Sequence, residues 1–429
     1  MSAIDFACAF GTYLESGTVV VGRDTRRTGG RLRSSVISGL LSTGIQVYDA
    51  GIVPTPVLQH AMTRLGASGG ISISGPNLGA EWKALRFLGN DGAPLNSYQD
   101  EELLDIFYNR SFSSKPWNEL GQLAPYSDAL QNYTTALKQF LDVDVIRERH
   151  FKIVLDCCHG TASHYVEELF TELGCEIVAI NNEPSPDAVY TPLPETKQTQ
   201  AVCQIIKPLG ADVGFYFNLD ATSLVVISDD GRSLGEEYTF ALLTDYILSE
   251  HPGKPVVTNV STSHLIDELA ERHDSVVSRC RIGQKYIIER MRSLDAVLGG
   301  EGSGGAAFPN FLYGFDGIAS MGLILQMLAR RQTSISEIVR SFPQYTIKKD
   351  FVRCPVHLFH PVLHRVSETF SDNRLDMTDG VKIFVDSGWL HIRPSRNEPV
   401  MRVIAESQDA EEAENLLQRG KTEVRKAML

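Results

Sequence analysis

Ten residues near the C-terminus, RPSRNEPVMR at 393–402, set Arg393, Ser395, Asn397 and Arg402 around a turn between two strand-like runs. Guanidinium, hydroxyl and amide donors, joined by the free backbone N–H groups of a turn, make a cradle for phosphate. Arginine donates two parallel charge-assisted bonds to phosphate oxygens, and such bonds are the stronger kind. The plainer alternative is a surface turn with incidental arginines. A second cluster, GGEGSGG at 299–305, combines Glu301 and Ser303 with five glycines. A carboxylate and a hydroxyl can bind vicinal sugar hydroxyls, and glycine lets backbone approach closely; the alternative is a glycine-rich connection with no ligand. Lys285, in RIGQKY at 281–286, is either a further ligand contact or a solvent-facing lysine.

Such residues need rigid elements beneath them, and the chain supplies a repeated one. TVVVGRD (18–24) is a β-branched run, followed by a helical stretch, RLRSSVISGLLSTG, that closes at Gly44, and then by IQVYDAG. The pattern recurs as FKIVLDCCHG (151–160), a helix through HYVEELFTELG ending at Gly174, and CEIVAINN (175–182). A third copy opens with KPVVTNVSTS (254–263) and continues through HLIDELAERH. Continuous Val/Ile runs mark strands buried on both faces, and glycine just past a helix supplies its left-handed cap. These are βα units of a mixed or parallel sheet, repeated three times. The tail differs: residues 381–407 alternate like strands joined by tight turns, and an amphipathic helix follows, so it reads as a small α+β domain.

Bulk properties narrow the function classes. The chain has 429 residues, too many for one ordinary core; at roughly 100–150 residues per domain it holds three or four. A formal charge of −13 argues against a nucleic-acid or anionic-membrane surface, so an anionic ligand needs a local basic pocket. No apolar run approaches the roughly 20 residues needed to span a bilayer, and no secretory pattern opens the chain. Seven cysteines without CxxC pairs suit a reducing compartment, and a cytoplasmic location is the expectation.

Nine phrases in order then carry a resemblance. VVVGRDTR (19–26), GIVPTP (51–56), the GGISIS loop (69–74), DCCHG (156–160), PLPET (192–196), ADVGF (211–215), RIGQKY (281–286), GGEGSGG (299–305) and RPSRNEP (393–399) fall where the α-D-phosphohexomutase superfamily places its motifs. That family comprises phosphoglucomutases, phosphomannomutases and phosphoglucosamine mutases. The resemblance implies three tandem α/β (mixed-sheet) domains over 1–126, 127–235 and 236–345, and a smaller C-terminal α+β domain over 346–429. It also implies that Arg393, Ser395, Asn397 and Arg402 grip the substrate's non-transferring phosphate, although Arg396 and Asn397 stand where the family's RPSGTEP-type loop has a small residue and Thr. Glu301, Ser303 and Lys285 are implied contacts of the sugar ring.

Two loops depart from the family. Matching GGISISGPNLGAEWKALRF to the family's TASHNP loop puts Pro76 at the phosphoryl-carrying serine, Asn77 at its histidine, and Lys83 and Arg86 at its distal Asn and Lys. Proline has no hydroxyl and forms no phosphoester; Ser74 and Ser72, upstream on a strand, are weak substitutes. The family's DGDADR metal loop matches Asn218–Ser223, where one carboxylate, Asp220, remains. Mg²⁺ favours hard oxygen ligands, so the expectation is no cofactor and a lost metal site. The sequence as given opens at MSAIDFACAFGTYLESG, which resembles the helix after the family's first strand and loop; either a deletion or a misassigned start accounts for that opening.

The resulting expectation is a phosphohexomutase-like protein that binds a hexose phosphate without phosphoserine mutase activity, with an active mutase or another protein as a further partner and no nucleic acid or membrane. The alternative is an active phosphohexomutase, or another reaction in the same cleft, with His159, Asp220 and Lys83 as residual candidates. A purely structural role without a ligand is a third reading.

Overall fold

The computed structural model describes residues 3–75, 83–187, 197–396 and 398–429. Among them are four sheets, three mixed and one antiparallel. The architecture is three tandem α/β units followed by an antiparallel α+β unit, as the sequence led us to expect.

The three α/β units repeat one topology. In the first sheet, Thr18–Arg23 is flanked by Gln46–Ile52 and Gly69–Ser74, both parallel to it; Ala84–Leu88 returns antiparallel beside Gly69–Ser74, and Leu123–Pro125 extends the far edge. The second repeats this with Lys152–Asp156 flanked by Glu176–Ile180 and Val213–Phe217, the latter turning back into Leu224–Ser228. The third uses Val256–Asn259 flanked by Val277–Cys280 and Leu298–Glu301, with Gly305–Ala307 antiparallel at the edge. Val213–Phe217 and Leu224–Ser228 are buried along their whole length, which is why their apolar residues run without alternation.

Two helices sit inside the assembly. Gly317–Arg331 is buried from Gly317 to Ala329, and Glu236–Glu250 is buried over most of its length. Both are covered on nearly every side, the mark of a core helix, although Glu236–Glu250 also buries Glu236, Glu237 and Asp245. Asp316 caps the first by accepting from the N–H groups of Ile318 and Ala319 at 3.0 and 2.9 Å, and it also receives the Tyr133 hydroxyl at 2.7 Å.

The fourth unit orders Thr346–Arg353, Val400–Ser407, Gly388–Pro394, Val381–Val385 and Arg374–Asp376, with the helices Phe359–Thr369 and Ala410–Ala427 packed on it. Its core, from Val352 to Ala427, is separate from the continuous core that joins the first three units. Polar contacts join it to the third: Lys382 Nζ donates to the Val260 carbonyl at 2.8 Å, His264 N–H to Glu406 at 3.0 Å, and the N–H of Ile282 to Asp379 at 2.9 Å. Among the described residues no helix is long and apolar enough to cross a membrane.

Candidate functional site

The repeated topology brings three chemically distinct loops to equivalent places. The turn after Gly69–Ser74, the Asn218–Ser223 turn and the Gly302–Gly304 turn each join a unit's third strand to its antiparallel return. The first two meet directly. Ser74 Oγ donates to Asp220 Oδ2 at 3.0 Å, Thr55 N–H donates to the Asp220 carbonyl at 3.0 Å, and Arg86 Nη1 lies 3.2 Å from the same Asp220 Oδ2. Arg86 is opposite Ser72 in the antiparallel register, and the Ser72 hydroxyl is 3.0 Å from that of Thr55. Ser74, Ser72 and Asp220 are almost fully buried, whereas Arg86 keeps 26% side-chain exposure. Pro76 and Asn77 lie outside the described residues.

A second buried carboxylate organises the start of this loop. Asp24 accepts from the N–H groups of Gly75 and Arg26 at 3.0 and 3.1 Å and from Lys83 Nζ at 3.2 Å. Burial pulls the Lys83 ammonium down to about 8; Asp24 acts against that shift, and the charge of Arg26 reinforces it. Arg26 itself is buried, so GRDTRR packs this loop at that position. His159 is tied to the Glu183 carbonyl at 2.8 Å and its own carbonyl accepts from Thr25, which makes it a brace between units.

In the second turn, Asn218, Asp220 and Thr222 converge. Asn218 Nδ2 donates to Thr222 Oγ1 at 2.9 Å, Thr222 Oγ1 to Asp220 Oδ1 at 2.7 Å, and Ala221 between them takes a left-handed φ of 56°. The described residues contain no cluster of three or more His, Cys, Asp or Glu that could hold a metal ion. Thr222 Oγ1 and Asp220 Oδ1 are nonetheless oxygens, the hard type that Mg²⁺ takes, while Asn218 turns its Nδ2 to Thr222 and its Oδ1 accepts from the Ser223 N–H. Asp229, near this loop, binds Ser336 N and Oγ at 2.8 Å each and is structural.

In the third turn, Glu301 accepts from Asn259 Nδ2 at 3.1 Å and from Ser303 Oγ at 2.7 Å, so the two sugar-contact candidates are held together. Glycine is required here: a Cβ on Gly304, at φ +79°, would stand 2.4 Å from the Leu224 carbonyl, and one on Gly302 would strike the Glu237 carboxylate at 2.0 Å. Lys285 Nζ reaches across to Asp100 of the first unit at 2.6 Å. Lys285, Asp100, Thr55 and Arg86 share a cavity of about 270 Å³ between the first and third units. A larger cavity, about 840 Å³, lies against Lys349 and Glu237 and contains none of the residues singled out from the sequence.

The fourth unit brings Arg393 and Arg402 together at facing positions of adjacent strands. Arg393 Nε lies 3.5 Å from Asp379 Oδ1, Arg402 pairs with Glu398, and the Ser395 N–H closes the turn on the Val400 carbonyl at 2.9 Å. Burial lowers the Arg393 pKa against the pull of Asp379, and the charges of Arg396 and Arg402 add to that lowering. Asn397 lies outside the described residues. Sequence reading did not single out Asp379, because only the strand register brings its turn to Arg393; Thr55 and Asp24 were visible only as parts of motifs.

Comparison with known proteins settles the family. Four family descriptions match in chain order: phosphoglucomutase/phosphomannomutase alpha/beta/alpha domain I at residues 2–114, domain II at 131–231, domain III at 235–345 and the C-terminal domain at 363–420. A phosphoglucomutase/phosphomannomutase of Thermococcus kodakarensis is 34% identical over 97% of this chain and 93% of its own length. The chain belongs to the phosphoglucomutase/phosphomannomutase family. Another relative, a phosphoglucosamine/phosphogalactosamine mutase of Sulfurisphaera tokodaii, is 28% identical over 95% of the chain and 92% of its own length. Among solved structures, a phosphoglucomutase/phosphomannomutase family protein from Burkholderia thailandensis shares the fold with a TM-score of 0.84 at 24% identity, covering 99% of this chain and 92% of that one. An N-acetylphosphoglucosamine mutase from Aspergillus fumigatus, described in complex with GlcNAc-6P and magnesium, superposes with a TM-score of 0.63 at 16% identity over 96% of this chain and 78% of that one. The magnesium in that mutase's complex corrects the expectation of no cofactor and a lost metal site, and in this chain Asp220 and Thr222 present oxygen atoms of the matching type.

Proposed function

We propose that this phosphoglucomutase/phosphomannomutase family protein acts on hexose phosphates as a phosphohexomutase, in the cleft where loops of its four units converge. The observation that carries the reading is the contact between the first two loops, Ser74 Oγ on Asp220 at 3.0 Å with Arg86 on the same carboxylate. The names of the relatives support turnover over binding alone. Arg393, Arg402 and Ser395 would bind the phosphate that stays on the sugar, and Glu301 and Ser303 the ring hydroxyls, with Lys285 beside them. Asn218, Asp220 and Thr222 would hold Mg²⁺, which when bound neutralises charge on the transferring phosphoryl group.

With Pro76 at the family's serine position, Ser74 is the hydroxyl proposed to take the phosphoryl group. Its oxygen attacks phosphorus, its proton passes to the Asp220 carboxylate, and the sugar oxygen released takes that proton up. Because Ser74 is 1% exposed, the cleft must open on the side of Arg86 before transfer. A second reading, hexose-phosphate binding without phosphoserine turnover, is favoured by one observation, Pro76 itself.

Calorimetric titration with glucose, mannose and glucosamine phosphates, with turnover assayed on the same sample with and without Mg²⁺, separates the two. Metal-stimulated isomerisation, and label on Ser74 after incubation with a ³²P sugar bisphosphate, are expected. Binding without isomerisation or label would leave the second reading; no binding would end both.

A further inference from the structure

Arg396 stands where the family's phosphate loop has a small residue, and the structure gives it a defined place. Its Nη2 lies 3.6 Å from Asp379 Oδ2, and its guanidinium sits 5.2 Å from the ring centre of Tyr286 in the third unit. Lys285, anchored to Asp100, approaches the same ring at 5.1 Å. The Gly283 backbone fits beneath: a Cβ there would be 3.4 Å from Arg396 Nη1.

Three guanidinium groups, those of Arg393, Arg396 and Arg402, therefore gather on two adjacent strands and the turn between them, close enough that the latter two act on the charge of the first. Two carboxylates, Asp379 and Glu398, face them. Asp379 serves two of the arginines at 3.5 and 3.6 Å and also accepts from the Ile282 N–H, so neither arginine has it to itself. The cluster carries one uncompensated positive charge. Arg396 is the most exposed of the three, 47% against 40% for Arg402 and 12% for Arg393, so its guanidinium is open to an entering ligand.

We propose that Arg396 is an additional phosphate-binding residue of this chain, one that rests on Asp379 and Tyr286 without ligand and turns its guanidinium onto the phosphate monoester when substrate arrives. The proposal rests on the hexose-phosphate reading above and adds a specificity element to it. A third arginine raises preference for the phosphate dianion through a charge-assisted bond that a small residue cannot make. Seated on Tyr286, the side chain is held near the loop and loses little freedom on binding.

The test is calorimetric titration of the full chain with inorganic phosphate and with glucose 6-phosphate, for the native protein, Arg396→Gly and Arg396→Lys. Arg396→Gly is expected to weaken both ligands about tenfold, with Arg396→Lys recovering part of the loss and the native protein showing the steeper salt dependence. Arg396 is half exposed, so circular dichroism should show both variants folded. Unchanged affinity in Arg396→Gly, or a lysine variant as weak as the glycine one, would overturn the proposal while leaving the hexose-phosphate reading standing. A native protein that bound neither ligand would remove both.

Discussion

Arg393 shows how the site is balanced at the scale of single residues. It is largely buried and has Asp379 as its countercharge, so a phosphate bound there as proposed would meet a guanidinium already desolvated. Arg393→Ala removes a charge-assisted contact worth about 1.5–3 kcal/mol, and glucose 6-phosphate affinity measured by calorimetry is expected to fall about 10- to 100-fold. Lys382 offers a test that does not depend on ligand. It is 1% exposed at the junction with the third unit, its Nζ 3.8 Å from the Trp389 ring centre, and burial pulls its ammonium down to about 7. The unfolded chain binds this proton up to about pH 10.4 and the folded one only to about 7, so the burial penalty is complete below pH 7 and is relieved as pH rises between those values. Urea unfolding at pH 6.5 and 9.5 should therefore show stability gained with pH in the native protein and a smaller gain in Lys382→Met; equal gains would rule the argument out.

At the scale of elements, the three loaded loops each follow a unit's third strand and precede its antiparallel return. Their strands Ala84–Leu88, Leu224–Ser228 and Gly305–Ala307 return antiparallel at the edge of otherwise parallel sheets. The βα repeats could be read from Val/Ile runs and glycine caps because burial on both faces imprints composition. The antiparallel returns could not, since a short apolar strand looks the same in either direction. Glu301 and Ser303 were recognisable because a hydroxyl and a carboxylate among five glycines are uncommon; the Ser74–Asp220 contact spans 146 residues and leaves no local trace. The central helix Gly317–Arg331 carries a prediction of its own. Asp316→Ala removes its cap and strips the buried Tyr133 hydroxyl of its acceptor, a combined cost of about 2–4 kcal/mol, readable as a lower urea midpoint at unchanged slope.

Among the described residues one apolar cluster spans the first three units and a separate one belongs to the fourth, with polar contacts between the third and fourth units. Calorimetric scanning without ligand should resolve two transitions, and saturating glucose 6-phosphate, which under the proposed function bridges the units, should draw them together and raise the midpoint; at a hundredfold excess over Kd the added stability is about 2.7 kcal/mol. A single ligand-insensitive transition would contradict both the separate core and the shared site. Sequence by itself determined the number and class of the units, the family, and the residue types at the phosphate and sugar loops, because these follow from local periodicity and short ordered motifs. It left the partners of Arg86, Asp379 and Arg396 unread. Tertiary structure decided those partners, because they depend on strand register and unit packing between segments far apart in the chain, and no local pattern encodes them.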